Sequence, residues 1–431
     1  MSQDPAAPGA VSVPRTEATT RRWLVLAVLA LGSGTIYKLA TLRDVFYVPM
    51  QRDMGLSHAE IGLLTSANAA VAALMFVLGG ALADRFPARA LLPCGLLASG
   101  FVGLMMSAFP AYEGMLGLFA LLAVFADGVF WPALLKTIRG LGGPSEQGRL
   151  FGFLEGGRGF VDTIVAAAAL GLFVWVGEGS TGLRSAILLY ALLDIAVGIG
   201  IFLLLREHRP EDAPTGIAPH WLTGLRLALR LPALWLLSLH VFLVYVAYCG
   251  LVYFVPYLRD VHGLPAALTG LYGIVNVYGL RMFGGPLGGY LADRIARSAV
   301  RYALWAETAL LPLLLALLWL TGRESHIAIA MAITLLVALL VFTLRGVFWA
   351  PMTELGIPQE LAGSAFGIGC LVGYSPAIFA FAFYGSILDA LPGEAGYRAV
   401  FALMIAALLA AMLASRALCR IVERRRAGAQ A

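Results

Sequence analysis

Residues 79–85 read GGALADR, and residues 288–294 read GGYLADR, a near-copy 209 positions downstream. Ahead of these copies, FYVPMQRDMG at 46–55 matches YFVPYLRDVHG at 253–263, at an offset of 207. Behind them, DGVFWPALLK at 127–136 matches RGVFWAPMTE at 345–354, at an offset of 218. Asn68 and Asn276 also fall at corresponding places. Three ordered matches whose offsets drift slightly describe a chain built from two related halves with small insertions between the landmarks.

The material of each half follows from composition. Of 431 residues, 60% are hydrophobic and 13% charged, against roughly a quarter charged in an average soluble domain. Too little polar surface is available for a water-facing enzyme. A membrane-crossing helix takes about 20 mostly apolar residues, so the apolar content supplies about a dozen. A β-barrel needs alternating strands of about 10 residues, whereas the apolar runs here are unbroken over much greater lengths. Spans are predicted near 23–48, 58–82, 89–109, 114–138, 150–176, 185–205, 233–257, 266–291, 299–321, 327–353, 362–388 and 398–421. The expected fold is an all-α polytopic membrane protein with twelve transmembrane helices in two pseudo-symmetric six-helix bundles. Its parts are a disordered tail (1–20), an N-terminal bundle (21–205), a polar linker (206–232), a C-terminal bundle (233–421) and a basic tail (422–431). Four scattered cysteines form no CxxC pair, which points to neither a metal site nor a disulfide framework.

Orientation is read from the basic residues. With the amino terminus inside, 19 of the 30 Lys and Arg fall in cytoplasmic segments and five (Arg52, Arg184, Arg259, Arg323, Arg398) fall outside. Both termini are therefore expected in the cytoplasm. The other six, Lys38, Arg43, Lys136, Arg158, Arg281 and Arg345, map within spans or at their ends. Intramembrane charge is costly and marks a bundle interior or an aqueous cavity, although Arg43 and Lys136 are also positioned to snorkel to the interface.

Repeated halves about an axis along the membrane normal are how one large class of transporters builds a central site, and here the chain resembles the major facilitator superfamily. The resemblance covers nearly the whole chain. Its most specific marker, Gly-x-Leu-x-Asp-Arg-x-x-x-Arg between the second and third helices, stands as Gly80, Leu82, Asp84, Arg85 and Arg89, with Pro87 where glycine is usual. A partial copy occurs at Gly289, Leu291, Asp293, Arg294 and Arg297. By resemblance Asp84, Arg85, Arg89, Asp293 and Arg294 form a cytoplasmic gate, and Asp84 with Arg89 locks the outward-open state. The resemblance also implies that the first, fourth, seventh and tenth helices line the axis, with the second, fifth, eighth and eleventh completing the walls.

The intramembrane charges fall on those helices. Glu155 and Arg158, three apart, are spaced to pair along one helix, and Asp127 and Arg345, equivalent in the two halves, are placed to meet across a cavity. Lys38 and Arg281 have no evident permanent partner, and an unpaired cation in a partly dehydrated site is best compensated by an anionic ligand. Arginine forks suit carboxylate, phosphate or sulfonate groups. The expected binding set is Tyr37, Lys38, Trp131, Arg158, Tyr245, Asn276, Arg281, Arg345 and Trp349, although the aromatic residues also serve as helix packing and Asn276 as a helix-to-helix hydrogen bond. A looser resemblance, carried by IYKLATLRDVFYVP and GRLFGFLEGGRG, is to the branch carrying organic anions.

No GxxxxGK[ST] is present, so transport is expected to be passive or ion-driven. Asp127, Glu155 and Asp162, with Asp44 in reserve, are the expected proton-coupling carboxylates, since burial and an approaching arginine shift such groups in opposite directions. No cofactor, metal, catalytic group or nucleic-acid partner is expected; the partners are a small anion, protons and the bilayer of a bacterial inner membrane, and the chain is expected to act as a monomer. The rival reading is a proton-coupled drug or metabolite exporter, but the fifth helix, FGFLEGGRGFVDTIV, lacks the proline such a motif carries.

Overall fold

The computed structural model describes residues 15–141, 147–205, 226–321, 327–358 and 361–430. Most of the predicted linker and residues 1–14 of the predicted tail lie outside the described residues, and residues 15–20, expected in that tail, begin the first helix, Arg15–Thr35. Every regular element among those described is helical, and nine helices are long and apolar enough to cross a membrane. The first span (Arg15–Thr35 continued by Arg43–Met54), the second (His58–Arg85) and the eighth (Ala266–Gly273 continued through Ala296) complete the twelve.

The predicted spans are found, but several are interrupted where the sequence reading made them continuous. Proline is the common cause, since it removes the amide that would bond the carbonyl four residues back and presses its ring against that carbonyl. Pro49 sits one turn beyond a kink at Phe46 (φ −110°, ψ 30°). Pro256, its counterpart in the repeat, follows a 3-10 turn, Leu251–Tyr253, between Pro232–Gly250 and Phe254–Asp260. Pro132 follows a π-helical segment, Val124–Phe130, within the fourth span. Pro351 follows a turn at 347–350, and Pro376 one at 374–375. A further turn at 36–42 divides the first span and carries Tyr37 and Lys38. The basic tail expected at 422–431 is not separate, for the last span runs as one helix, Glu394–Gln430.

The two halves close on each other at one end. The Asp389 carboxylate, on the eleventh span, accepts the backbone N–H groups of His58 and Ala59 at 3.0 and 2.7 Å, at the start of the second span. Gly62 faces the Phe381 carbonyl and Gly385 the His58 carbonyl so tightly that a Cβ at either would collide with backbone. Arg43 lays its guanidinium 3.8 Å from the centre of the Phe381 ring. Gly273, in the eighth span, meets the Asp44 carbonyl in the same way. At the opposite end, Trp131–Gly140, Leu291–Ala296 and Pro351–Glu354 pack mainly within their own halves. The described molecule is thus closed at the end holding 43–62 and 381–397, and parted at the end holding the GGALADR motif.

Candidate functional site

Two half-sites related by the repeat stand at the axis. In the first, Tyr37, released from helix by the turn at 36–42, donates its O–H to Asp127 Oδ1 at 3.0 Å. Asp127 lies in the π-helical segment of the fourth span, a distortion that recurs at functional sites, and Trp131 stands one turn on with its ring edge-on to Tyr37 at 6.2 Å. Arg158, from the fifth span, places its guanidinium 4.9 Å from the Tyr37 ring centre and 5.0 Å from that of Trp131. Its expected partner Glu155 is 3.9 Å away and more than half exposed, a loose contact of little energetic weight. The Arg158 Nε has no hydrogen-bond partner.

The second half-site repeats the first with the charge reversed. Trp349 occupies the place of Trp131 and Arg345 that of Asp127, while Tyr245 falls one residue beyond the counterpart of Tyr37 and stands beside Arg345 as Tyr37 stands beside Asp127. The Arg345 guanidinium lies 4.4 Å from the Tyr248 ring centre and 5.8 Å from that of Tyr245. Tyr245 packs against Tyr248 and Tyr374 at 4.8 and 5.0 Å, and the Trp349 indole N–H donates to the Tyr374 oxygen at 3.0 Å. Cation–π contact stabilises such a guanidinium, and among the described residues Arg345 Nη1 has no hydrogen-bond partner. Asp127 and Arg345 do not pair across the axis as the sequence reading expected: the Asp127 carboxylate is held by Tyr37 of its own half.

Arg281, on the eighth span, lies within electrostatic range of both Arg158 and Arg345. It makes no hydrogen bond or ion pair with a described residue. Lys38 differs from its expectation. Its Nζ lies 2.8 Å from Asp162 Oδ1 and 2.8 Å from the Asp162 carbonyl oxygen, with both side chains buried. The register of the fifth span turns Asp162 toward the turn at 36–42, which spacing along the chain did not reveal. Lys38 also lies 3.5 Å from the centre of the Tyr278 ring, on the eighth span of the other half, and the Tyr278 and Thr41 hydroxyls are 3.1 Å apart. Asp44 is buried with its Oδ1 3.7 Å from Arg43 Nε. Arg43 itself is buried between the halves and does not snorkel.

Asn276 is fully buried, and its amide donates to the Leu251 carbonyl at 3.3 Å, tying the eighth span to the break in the seventh. Asn68 likewise donates to the Phe119 carbonyl at 2.8 Å. Among the gate residues, the side chain of Asp84 lies outside the described residues, and Arg85, Asp293 and Arg294 are exposed. The Arg89 guanidinium stands over the Phe202 ring at 5.2 Å. Lys136 donates to the Ala83 carbonyl at 2.8 Å. Among the described residues no group of three His, Cys, Asp or Glu is gathered for a metal ion. Tyr374 and Tyr278 were missed by the sequence reading, since neither has a counterpart in the quoted repeat.

The comparisons with known proteins agree with this architecture. The family profile of the Major Facilitator Superfamily matches residues 29–381. Inner membrane protein YihN of Escherichia coli is 41% identical over 393 residues, covering 90% of this chain and 92% of that one. The probable nitrate/nitrite transporter NarK2 of Mycobacterium tuberculosis is 34% identical over 357 residues, covering 78% and 82%. Among solved structures, a bacterial homolog of the human lysosomal transporter Spinster, in an inward-facing and unoccupied conformation, superposes with a TM-score of 0.76 at 19% identity, covering 93% of this chain and 98% of that one. The nucleoside transporter NupG does so with a TM-score of 0.71 at 13% identity, covering 92% and 99%. With the fold, the matched profile and the relatives in agreement, the chain belongs to the Major Facilitator Superfamily, as a multi-pass secondary transporter of a bacterial inner membrane and not an enzyme.

Proposed function

We propose that this transporter moves a small organic anion, bearing a carboxylate, phosphate or sulfonate group, by alternating access coupled to proton symport or to exchange against a second anion. The observation that carries the reading is the convergence of Arg158, Arg281 and Arg345 from three spans, with Arg281 making no ion pair to a carboxylate among the described residues. The wider balance points the same way. Lys38, Arg43, Arg158, Arg281 and Arg345 are five cations against the four carboxylates of Asp44, Asp127, Glu155 and Asp162, an excess of one positive charge, and Glu155 is more than half exposed. A planar oxyanion engages guanidinium forks two oxygens at a time, and the free donors of Arg158 and Arg345 are available for it. The printed names of the nitrate/nitrite transporters among the relatives describe carriers of anions.

Proton coupling is assigned to Asp127, Asp162, Asp44 and Glu155, with Asp162 foremost. A proton on Asp162 would cancel its hold on Lys38, whose ammonium rests against Tyr278 of the opposite half, so protonation and the seating of the halves are linked through one side chain. Both termini and the parted end are placed on the cytoplasmic side by the distribution of basic residues, and the chain acts as a monomer.

The test is uptake into proteoliposomes under an imposed proton gradient. The probes are glycerol 3-phosphate, glucuronate, isethionate, nitrate, glucose and tetraphenylphosphonium. The expected outcome is a response to anions alone, lost in R281Q and R345Q. A response to tetraphenylphosphonium alone would replace this reading with the exporter, the aromatic lining of Tyr245, Tyr248 and Tyr374 then serving a lipophilic cation. Unchanged anion uptake in R158Q, R281Q and R345Q would remove the cationic site.

A further inference from the structure

At the closed end, one carboxylate bridges the two halves in a way that no side chain at the parted end matches among the described residues. Asp389 belongs to the C-terminal half and accepts two successive backbone N–H groups, those of His58 and Ala59, from the N-terminal half at 3.0 and 2.7 Å. These amides open the second span, where the helix leaves its first N–H groups without partners and carries partial positive charge. A carboxylate there forms charge-assisted bonds of the stronger kind. The span already has an internal cap, since Ser57 and Glu60 form a reciprocal capping box. Asp389 is therefore not needed to start the helix; what it adds is the connection to the other half.

The surroundings reinforce that connection. The Tyr47 oxygen and His58 Nδ1 are 2.8 Å apart, and Gln51 Nε2 lies 3.1 Å from His58 Nε2. Asp260 of the opposite half stands 3.9 Å from His58 Nε2 and accepts from Tyr397. Tyr253 donates to the Phe381 carbonyl, the same carbonyl that faces Gly62. Of these polar contacts the approach of His58 to Asp260 crosses between the halves, while the others fix His58, Asp260 and Phe381 in place within their own halves.

We propose that Asp389 is the latch of the closed end, a positioning residue that holds the transporter in the conformation parted at the motif end and must release the second span before the opposite conformation forms. The proposal rests on alternating access and not on the anion reading, so either can fail without the other.

Two native cysteines report the two ends. Cys249 is fully buried on the seventh span, between Tyr245 and Tyr253. Cys370 is partly exposed on the eleventh span, on the parted side of the break at 374–375. Maleimide labelling of the purified protein in nanodiscs, read peptide by peptide, gives both rates at once. In D389N, labelling of Cys249 is expected to rise about tenfold, the worth of one charge-assisted hydrogen bond, while that of Cys370 falls. G385A, which forces a methyl into the same seam, is likewise expected to raise the labelling of Cys249 and lower that of Cys370. D53N is the control, because Asp53 lies at the same end but pairs with Arg52 of its own half; its rates are expected to stay at wild-type values. Unchanged labelling of Cys249 in D389N would overturn the latch. A parallel rise at both cysteines would also overturn it, by showing a loosened fold instead of a moved equilibrium. If D389N does not yield monodisperse protein, D389E, whose extra methylene overshoots the two amides, is read by the same criterion.

Discussion

Lys38 and Asp162 form an ion pair that is almost entirely withdrawn from solvent, and a pair of this kind is most costly when half of it is removed. Asp162→Asn is expected to lower stability by about 3–5 kcal/mol, seen as a clear drop in the thermal-unfolding midpoint in detergent. The double variant K38M/D162N removes the stranded ammonium as well and is expected to recover most of that loss; a double variant as unstable as the single one would show that the loss does not come from an uncompensated ammonium. At this scale the sequence was legible in kind and illegible in pairing. Lys38, Arg158, Arg281, Arg345, Asp127 and Asp162 stood out because charge within apolar runs is rare. Which of them touch depends on helix register across distant segments, and the turn at 36–42, which aims Tyr37 at Asp127 and Lys38 at Asp162, has no signature in the alternation of apolar residues. Tyr374 was invisible for a related reason: it becomes a wall of the Arg345 site only because Pro376 breaks the eleventh span beside it.

Among the helices, the repeat that announced the fold also explains its interruptions. Pro49 and Pro256 sit in the matched stretches FYVP and YFVP, and Pro132 and Pro351 follow the matched Phe-Trp pairs by one and two residues. The spans were therefore predictable in number and approximate place, whereas the π-helical segments at Val124–Phe130 and Ile274–Gly279 were not, since one extra residue per turn leaves composition unchanged. Close packing between these helices is specific enough to test. Gly288, on the eighth span, faces the Thr343 carbonyl of the tenth with no room for a Cβ. Gly288→Ala is expected to destabilise the C-terminal half by about 1–3 kcal/mol, the usual penalty of overpacking, again read from thermal unfolding; an unchanged midpoint would mean that the two spans separate freely. The ends of helices use the repeat differently. Lys136 and Glu354 are equivalent positions, yet Lys136 donates to the Ala83 carbonyl near the end of the second span, while Glu354 accepts from Ala299 N and Ser298 Oγ, both at 2.5 Å, at the start of the ninth. Each sign suits the helix end it meets.

For the whole molecule, the asymmetry of basic residues gives a prediction independent of substrate. A fluorescent protein that matures only in the cytoplasm, fused after the last helix, is expected to fluoresce, while a periplasm-active phosphatase fused at the same place is expected to stay silent. The opposite pattern would invert the proposed orientation and place the parted end outside. The halves themselves, though related, are not interchangeable parts. Where one presents Asp127 to the axis the other presents Arg345, and where one ends its fourth span in Lys136 the other ends its tenth in Glu354. Two copies of the N-terminal half would set carboxylate facing carboxylate, and two copies of the C-terminal half guanidinium facing guanidinium, each in a setting that screens charge poorly. Expressed as separate chains, the halves would therefore be expected to associate with each other in preference to a second copy of themselves, because the duplicated sequence has diverged in the sign of charge that each half presents to the axis.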